Sequence, residues 1–588
     1  MSRIVGFVLC TLVTLTLWVS GASAQLQTQN TDESTRQIEQ MTHQTSSGAM
    51  KVPKEVRVVV DGERPRAILM PWTLGVHSVA SDAHLTDTAT IPLLRAAGIT
   101  TLRYPGGRIA DTFHWSTHSP SNWQGLSHPN VGYAPDSNVG SVLRLMEKVG
   151  TAIFTVNYGS NLSGNGGGEP LEAAAWVAYA NGNTNDTKSL GKDSAGNDWQ
   201  TVSYWASLRA SAPLPNDDGK NFLRIQHPAP FAIHFWEIGN QVYQNGYYGD
   251  ADLEEDAHAP YPENDADKGK SRKRNSRLSP AAYGKNFIEY ARAMKAVDPK
   301  IHLGIPLNPS VNGQINRQEW TKDMVTGTYS NVTSLSVDKD FGYAADWARS
   351  VLATTCNDVD FVSLPLYAGD TTAESNWKDL DEDKLLASPQ GPLAQTLASV
   401  GDSIQKSCGQ RARSIRVAIT EMGPIPWARV TEPVALGLFA ADVYLTFAEY
   451  GVMNVDWSEL HSGEFLDENN KPGPAYYGMQ LVYALMNFND ALLVASSSSP
   501  ALSVHAAKRA DGSIGIMLIN KDRKNATTVK ISLKGMALGA KGARFDYGKT
   551  NSPEGNSLVG KQMDGLGTSF SVPMSPYTAT VILIPKAQ

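Results

Sequence analysis

The chain has 588 residues, of which 41% are hydrophobic and 19% are charged, and its formal net charge is −7. These proportions are typical of a packed globular protein. The acidic balance lacks the basic footprint that most nucleic-acid-binding proteins carry, so we expect no nucleic-acid partner. The length predicts two or more domains, or one large barrel with additions.

The first 24 residues have the pattern of a secretory signal peptide. Arg3 gives a positive start, Ile4–Val19 is apolar, and small residues at 22–24 precede Gln25. The apolar run is short for a membrane span, and no later stretch reaches the roughly 20 apolar residues that a span requires. We predict a chain that is secreted or periplasmic, with cleavage near Ala24-Gln25 and no membrane span.

Residues 25–50 are rich in Gln, Thr and Ser and have few apolar side chains. This composition predicts a disordered lead-in. Order is expected to begin in residues 51–66, where the run Val56–Val60 predicts a strand that pairs outside the main domain. We expect this strand to complete a β-sandwich formed by the C-terminal residues.

Residues 67–485 contain eight short apolar runs, with segments of helical spacing between them. The runs begin at Ala67, Thr100, Ala152, Phe231, Ile301, Val359, Ile415 and Val452. Strands that are apolar on both faces and alternate with helices are typical of a parallel sheet covered by helices. Eight such units predict an α/β fold of the (β/α)8 TIM-barrel type. An open doubly wound sheet is the alternative, but it rarely needs eight units, and the sequence has no glycine-rich phosphate loop.

Residues 486–588 change to alternating apolar and polar positions, which are typical of strands with one buried face. Two such runs meet at Asp511-Gly512, a dipeptide that favours a tight hairpin turn. The runs TTVKISL and TATVILIP predict further strands. We therefore expect an accessory C-terminal β-sandwich.

Residues 250–277 interrupt the barrel pattern with an acidic half, a basic half and no apolar periodicity. This pattern predicts a long solvated loop over the top of the barrel. Its segment NDADKG is similar to part of a calcium loop but lacks the remaining ligands. We expect no metal site and no cofactor.

The cysteines allow one disulfide in the mature chain. Cys10 lies in the predicted signal peptide, which leaves Cys356 and Cys408. An even pair in an oxidising compartment favours a disulfide. Two separately buried thiols are the alternative, since a bridge requires the two Cα atoms to lie close together.

In a barrel of this kind, reactive residues lie at the C-terminal ends of the strands and on the loops that follow. Arginine, amide, aromatic and carboxylate side chains occur at these places, and together they suit a hydroxyl-rich ligand. Glu421 is the sharpest candidate, because it directly follows the apolar run RVAIT; simple pairing with an arginine is the alternative role. The other candidates are Arg103, Asp111, Asn157, Tyr158, Trp236, Asn240, Gln241, Tyr367 and Trp457.

Four motifs at these strand ends occur in the same order as in a known family. They are LRYPGGRIADTFHW after the second strand, VNYGSN after the third, FWEIGNQVYQNGYYG on the fourth and AITEMGP on the seventh. From about residue 52 to the end, the chain resembles the α-L-arabinofuranosidases of glycoside hydrolase family 51 and their relatives in the same clan of barrels. The resemblance implies a retaining glycoside hydrolase that acts on a plant or microbial polysaccharide or glycoside, with a carbohydrate as its partner.

The resemblance also implies roles for three residues. Glu421 matches the nucleophile, and Asn240 matches the residue that holds the sugar hydroxyl next to the reacting carbon. Gln241 falls where the family has its acid/base glutamate. An amide keeps the shape of that acid but cannot donate a proton near neutral pH.

Two further regions depart from the family's pattern. Family members commonly carry a His ahead of the strand-six Tyr, and here the run is SLPLY with Pro365. Close relatives tend to show an Asn and then a Trp after strand one, where this chain has His77 and Ser81. These positions line the sugar pocket in the family, so His77 joins the candidate site residues, and the sugar and linkage are left open.

Gln241 leaves four interpretations open. In the first, the chain is a working glycosidase that takes its proton from another acid, such as Glu237 or one in the loop Asp250–Glu255, or from water, or needs none for an activated aglycone. In the second, the glutamine is an engineered change that traps substrate. In the third, the chain is a secreted carbohydrate-binding protein without turnover, and in the fourth it is a scaffold with a vestigial cleft. The retained Glu421 and Asn240 favour a glycoside hydrolase with atypical or weakened acid/base catalysis. The oligomeric state is not predicted.

Overall fold

The structure is a computed structural model that describes residues 50–120, 132–248, 254–260, 272–308, 343–369, 379–426, 428–549 and 557–587, with the backbone of 320–322 and 329–331. The predicted signal peptide at residues 1–24, the lead-in up to residue 49 and much of the loop at 250–277 lie outside these ranges. Within them, no helix has the length and apolar character that a bilayer crossing requires. The same ranges contain no cluster of three or more His, Cys, Asp or Glu side chains arranged to hold a metal ion.

Eight parallel strands close into a barrel in the order in which they occur along the chain. Strand β1 (Glu55–Ile68) precedes them. The barrel strands are β2 (Leu74–His77), β3 (Thr101–Tyr104), β4 (Thr151–Val156), β5 (Phe235–Ile238), β6 (His302–Pro306), β7 (Phe361–Ala368), β8 (Arg416–Pro424) and β9 (Asn454–Trp457). Strands β2, β3, β5 and β9 are buried at every position, because one face fills the barrel and the other packs under helices. The predicted (β/α)8 barrel is confirmed.

The α-helices of the described residues lie between the barrel strands and after the last one. They are α1 (Thr90–Ala96), α2 (Val139–Val149), α3 (Pro170–Asn181), α4 (Val202–Ala210), α5 (Pro280–Val297), α6 (Tyr343–Thr355), α7 (Glu382–Ala387), α8 (Ala394–Cys408), α9 (Val434–Glu449) and α10 (Pro474–Leu485). Helix α5 begins in the way its sequence indicates. The Ser279 side chain accepts from the Ala282 N–H, and Pro280 occupies the first helical position, where no N–H is needed.

Short turns and two small strand pairs complete the barrel region. The 3-10 turns are Arg108–Thr112, Pro135–Ser137, Asn221–Leu223, Val242–Gln244, Ser276–Leu278 and Gly409–Ser414, and Pro389–Leu393 forms a π-helical turn. The strand pairs are Phe113–His114 with Ser119–Pro120, and Trp320–Lys322 with Tyr329–Asn331.

The C-terminal residues and β1 form one nine-stranded sheet. Its further strands are β10 (Ala491–Ser497), β11 (Leu502–Lys508), β12 (Ile514–Asn520), β13 (Thr527–Lys534), β14 (Lys541–Gly548), β15 (Gly560–Asp564), β16 (Ser569–Met574) and β17 (Thr578–Ile584). The order is β15-β14-β17-β12-β11-β10-β1-β13-β16. Val572 of β16 and Ile582 of β17 join one hydrophobic cluster although their strands lie far apart in this order. The sheet therefore curls around a second core, and the run Val56–Val60 lies in it.

Two covalent and local features follow the sequence expectations. Cys356 and Cys408 form a disulfide with Cα atoms 5.4 Å apart, which joins the residue after α6 to the last residue of α8. In the hairpin between β11 and β12, Gly512 has φ +81°. The Asp511 carboxylate accepts from the Ser513 N–H at 2.8 Å, which closes the turn.

A buried ion-pair network joins helix α9 to the C-terminal sheet. His505 of β11 lies between two carboxylates of α9, with Nε2 at 2.8 Å from Asp442 Oδ1 and Nδ1 at 2.7 Å from Glu449 Oε1. Lys521 Nζ lies 2.7 Å from the other oxygen of Asp442. Burial lowers the pKa of His505, but Glu449 and Asp442 outweigh it and raise this pKa to about 9. The imidazole is therefore charged at neutral pH, and the network holds the sheet on the barrel.

We predict that His505→Gln lowers the Tm in a pH-dependent way. The stability from the raised His505 pKa is complete below the unfolded value of about 6.5 and is lost as the pH rises through the folded value. At about pH 6 the variant should lose about 1.5–3 kcal/mol of unfolding free energy, because Asp442 and Glu449 lose the bonds from His505 but keep Lys521 and Arg66 as partners. Calorimetry of both proteins should show a Tm difference that shrinks towards about pH 10. An equal difference at both pH values would contradict the network's role.

Candidate active site

The C-terminal ends of the barrel strands bring together side chains that are far apart in the sequence. Arg103 lies in β3, Tyr367 in β7 and Glu421 in β8, while Asn240 and Gln241 directly follow β5. Direct hydrogen bonds connect all five residues. These predicted site residues therefore form one cluster at the mouth of the barrel.

The buried Arg103 side chain is the centre of the cluster. Its Nε donates to Glu237 Oε2 at 2.9 Å, one terminal nitrogen donates to Glu421 Oε1 at 3.0 Å, and the other donates to Asn240 Oδ1 at 2.8 Å. Burial opposes the charge, but Glu237 and Glu421 raise the pKa of Arg103 above its ordinary value. The planar guanidinium stays charged and fixes three acceptors at once.

Glu237 and Trp236 take opposite sides of β5. The Glu237 carboxylate also accepts from Thr155 Oγ1 at 2.7 Å, whereas the fully buried Trp236 ring packs edge-on against Trp176 of α3. Successive strand residues face opposite ways, so Glu237 points into the barrel and Trp236 towards the helices. The structure corrects two expectations. Trp236 belongs to the packing outside the barrel rather than to the pocket, and Glu237 is held by Arg103 rather than placed as a substitute acid.

Glu421 accepts hydrogen bonds on both carboxylate oxygens. Besides the bond from Arg103, its Oε2 accepts from the Tyr367 hydroxyl at 2.7 Å, and the Gln241 Nε2 lies 3.5 Å from the same oxygen. Burial and the charge of Glu421 raise the pKa of Tyr367 well above its ordinary value, so the phenol keeps its proton and donates. The carboxylate is thereby fixed in position at the barrel mouth.

A backbone irregularity in β8 carries Glu421. Leu364 of β7 pairs with Ile419, but the next residue, Pro365, pairs with Glu421, which leaves Thr420 as an extra residue in β8. Proline has no N–H to give to the ladder, and bulges re-aim side chains beside functional sites. Pro365 thus has a structural consequence for the position of Glu421.

Gln241 turns the chain out of β5 and faces Glu421. Its φ of +35° is in the left-handed region. Its Oε1 accepts from Gln244 Nε2 at 2.9 Å and from the Tyr243 hydroxyl at 3.3 Å. These two donors fix the amide so that its NH2 group is directed at Glu421. The side chain lies next to the carboxylate, where the resemblance implies an acid/base glutamate.

Asp111 and Asn157 serve the backbone around the site. The two Asp111 oxygens accept from the N–H groups of Tyr158 at 3.0 Å and Asn240 at 2.9 Å. The Asn157 Oδ1 accepts from the Ser160 N–H at 3.0 Å. The structure therefore gives Asp111 and Asn157 positioning contacts instead of the substrate contacts expected from the sequence. They fix the ends of β4 and β5.

Helix α5 supports the same strand ends from outside. Its Tyr290 hydroxyl donates to the Asn157 carbonyl at 2.9 Å, and its Tyr283 hydroxyl donates to the Ile238 carbonyl at 2.8 Å. Asn286, on the same helix, donates to the hydroxyl of the buried Tyr158 at 3.0 Å. Tyr158 thus packs and bonds towards α5, which corrects its expected place in the pocket.

His77 and Ser458 close the site on the side of β2 and β9. His77 Nδ1 lies 3.3 Å from Ser458 Oγ, which lies 3.2 Å from the Tyr367 hydroxyl. Burial and the charge of Arg103 lower the pKa of His77, so its imidazole is neutral. Trp457 is fully buried and packs against a ring of α9. Sequence reasoning missed Ser458, although its place directly after a strand-end tryptophan was an available signal.

Residues 254–260 of the predicted solvated loop pack on the site. The Glu254 N–H donates to the Gln244 carbonyl at 3.3 Å, and the Ala257 N–H donates to the Gly159 carbonyl at 2.6 Å. Glu254 is buried, and its carboxyl lies near enough to Glu421 for their charges to interact. The expectation of a solvated loop is wrong for these residues, because backbone hydrogen bonds hold a polar segment that apolar periodicity cannot detect.

The comparison with known sequences gives a partial resemblance. No protein-family model matches the chain. Over 215 residues, which are 36% of the chain, it is 28% identical to the probable alpha-L-arabinofuranosidase C of Aspergillus clavatus. The chain spans only 30% of the length of this curated relative. Similar stretches occur in the enzymes of the same name from other Aspergillus species.

The comparison with solved structures covers most of the chain. The α-L-arabinofuranosidase of Thermotoga maritima, solved with arabinose, aligns over 90% of this chain and 100% of its own with a TM-score of 0.62 and 16% identity. A family 44 xyloglucanase of Paenibacillus polymyxa aligns over 91% and 100% with a TM-score of 0.56 and 13% identity. The chain therefore shares its fold with glycoside hydrolases that are named for different substrates.

We predict that Arg103→Met destabilises the protein more than Arg103→Met combined with Glu237→Gln. The single change leaves buried carboxylates without their cation, which typically costs about 3–5 kcal/mol. The double change removes one of those charges and should recover part of the Tm. Thermal unfolding of the wild type and the three variants, including Glu237→Gln alone, gives the coupling between the two residues. Additive changes in Tm would contradict the central role of this ion pair.

Proposed function

We propose that the chain is an exported glycoside hydrolase of the α-L-arabinofuranosidase type that retains the anomeric configuration and acts on a plant or microbial polysaccharide or glycoside. The observation that carries the proposal is the position of Glu421. Arg103 and Tyr367 hold its carboxylate at the barrel mouth, beside the amide of Gln241. Double displacement at a sugar carbon requires a fixed carboxylate that attacks this carbon and a second carboxyl group that protonates the leaving oxygen, and Glu421 fits the first of these roles.

The retaining mechanism assigns a separate task to each group. In the first step the Glu421 carboxylate attacks the anomeric carbon while the bond to the leaving oxygen breaks, and a glycosyl ester forms. In the second step water attacks the same carbon, and the ester bond breaks to restore the carboxylate. Gln241 orients the carboxylate through its NH2 group but gives no proton to the leaving oxygen. This assignment accounts for atypical acid/base catalysis.

The polar lining supports a sugar as the ligand. Among the described residues, the buried His77 Nε2 has no partner at hydrogen-bond geometry, and the Asn240 NH2 group, which bonds to Glu254, has a second N–H. A buried polar atom left in this state costs about 1–3 kcal/mol, which a hydroxyl-rich ligand would recover. Asn240 offers a donor, while the neutral imidazole of His77 can donate or accept. Sugar hydroxyls fit both.

A secreted carbohydrate-binding protein without turnover is the second candidate. The Gln241 side chain favours this candidate. Gln244 and Tyr243 hold its amide in place, and an amide has no proton to give to a leaving group. Such a protein would use the same polar lining for binding alone.

Hydrolysis of activated aryl glycosides separates the two candidates. We expect the protein to cleave a 2,4-dinitrophenyl glycoside from a panel of pentoses, hexoses and uronic acids, because this leaving group needs no proton. Glu421→Gln should abolish turnover while it keeps the fold, with circular dichroism and Tm as controls. Proton NMR of the first product should show the retained anomer. If no glycoside in the panel is cleaved, but one binds in calorimetry, the hydrolase proposal fails and the binding protein takes its place.

A further inference from the structure

Since Gln241 cannot donate a proton, the candidates for the proton donor are the carboxyl groups near Glu421. Arg103 holds Glu237, two backbone N–H groups hold Asp111, and the Asn454 amide bonds to Asp456. Three glutamates with a raised pKa are left in this part of the described structure, namely Glu254, Glu459 and Glu464. Burial is the largest cause in all three. Their positions in the fold decide which of them can act as the proton donor.

Glu459 and Glu464 follow β9, the strand next to the one that carries Glu421. Glu254 follows β5 and is held by its N–H bond to Gln244, whose side chain in turn binds Gln241. Acid and nucleophile must flank the glycosidic bond from two sides. The β5 side of the barrel, where the resemblance implies the acid/base, lies three strands away from β8 in the barrel order, and of the three candidates Glu254 is the one on that side.

The segment that carries Glu254 is firmly held. Arg272 is fully buried, and its guanidinium donates to the carbonyls of Asn245 at 2.9 Å, Asp256 at 2.9 Å and Ala259 at 3.3 Å. The Asn245 amide donates to the Asp256 carboxylate at 2.8 Å. These bonds tie the loop to the turn after β5. Glu254 therefore has a fixed place next to Gln244, and its side chain bonds to Asn240.

The surroundings of Glu254 keep its carboxyl protonated at neutral pH. Burial raises its pKa most, Arg108 and the Asn240 side chain lower it, and the charges of Glu421 and Glu255 raise it again, with a result of about 8. Asp111 is the further carboxyl that interacts with it. A general acid must hold its proton before the reaction and give it up during bond cleavage, which a pKa near the working pH favours.

We infer that Glu254 is the general acid and base of the site and replaces the carboxyl that Gln241 lacks. The inference rests on the proposed function. In the first step the Glu254 proton moves to the leaving oxygen as the bond from the anomeric carbon to that oxygen breaks and Glu421 attacks. In the second step the Glu254 carboxylate takes a proton from the attacking water, and the bond to Glu421 breaks. Each cycle consumes one water and restores both carboxyl groups.

The test is the dependence of kcat/KM on the leaving group in Glu254→Gln. For the phenyl glycoside of the sugar that is cleaved, kcat/KM should fall about 10²–10⁴-fold, which is the usual contribution of a general acid. For the 2,4-dinitrophenyl glycoside it should change little. Sodium azide should raise kcat of the variant with this substrate and give the glycosyl azide, because azide attacks the ester without a base. Adding Gln241→Glu to the variant should restore cleavage of the phenyl glycoside.

Glu464→Gln is the matched control. Glu464 also has a pKa raised by burial, to about 7, but lies on the β9 side. We expect it to leave the ratio of the two kcat/KM values as in the wild type. In the wild type, kcat/KM for the phenyl glycoside should fall as the pH rises through about 8, a limb that Glu254→Gln should lack. This profile tests the inference even if the variant folds poorly.

Three results would overturn the inference. Equal kcat/KM values for Glu254→Gln and the wild type with both substrates would show that another group gives the proton. An equal loss with both substrates would make Glu254 a positioning residue for Glu421. A wild-type profile that is flat around pH 8 with the phenyl glycoside would exclude an acid with this ionisation. If the wild type cleaves none of the aryl glycosides, the proposed function itself fails, and the inference fails with it.

Discussion

The whole site depends on one buried cation. Arg103 reaches from β3 across the barrel, and its guanidinium bonds to Glu237, to Glu421 and to Asn240. Without it, the carboxylates of Glu237 and Glu421 would be buried without a cation, which would destabilise the folded state. The barrel geometry makes this possible, because parallel strands end at one rim. The same contact that stabilises the rim also fixes the carboxylate that we propose as the nucleophile.

Gln241 and Glu254 are best understood together. A glutamate at position 241 would place a carboxyl beside Glu421 while the loop brings Glu254 close to the same group. Like charges in a buried site raise one another's pKa and work against folding. With an amide at 241, the site keeps a hydrogen-bond donor for Glu421, and the carboxyl of Glu254 has no second carboxyl at position 241 to compete with. The role that we infer for Glu254 keeps the division into a charged group and a protonated one that the proposed function needs.

The sequence predicts the fold and the core of the site well, for physical reasons that are easy to name. Eight apolar runs require eight buried strands, and strand-end positions bring Arg103, Tyr367 and Glu421 together. The same rule fails for Trp236, because it lies two residues before the C-terminal end of β5 and alternation turns it outwards. It also fails for Asp111, whose partners are backbone N–H groups from two other strands. Such partners leave no periodic trace in a sequence.

The shared barrel leaves the choice of sugar open, since this fold belongs to enzymes named for different substrates. The role of Glu421 can be tested without knowledge of the natural substrate. The most direct measurement is mass spectrometry of proteolytic peptides after incubation with 2-deoxy-2-fluoro glycosides that carry a dinitrophenyl leaving group. We predict one added fluoroglycosyl group on the peptide that contains Glu421. A label on another carboxylate, or cleavage of the glycosides without any ester on Glu421, would contradict it.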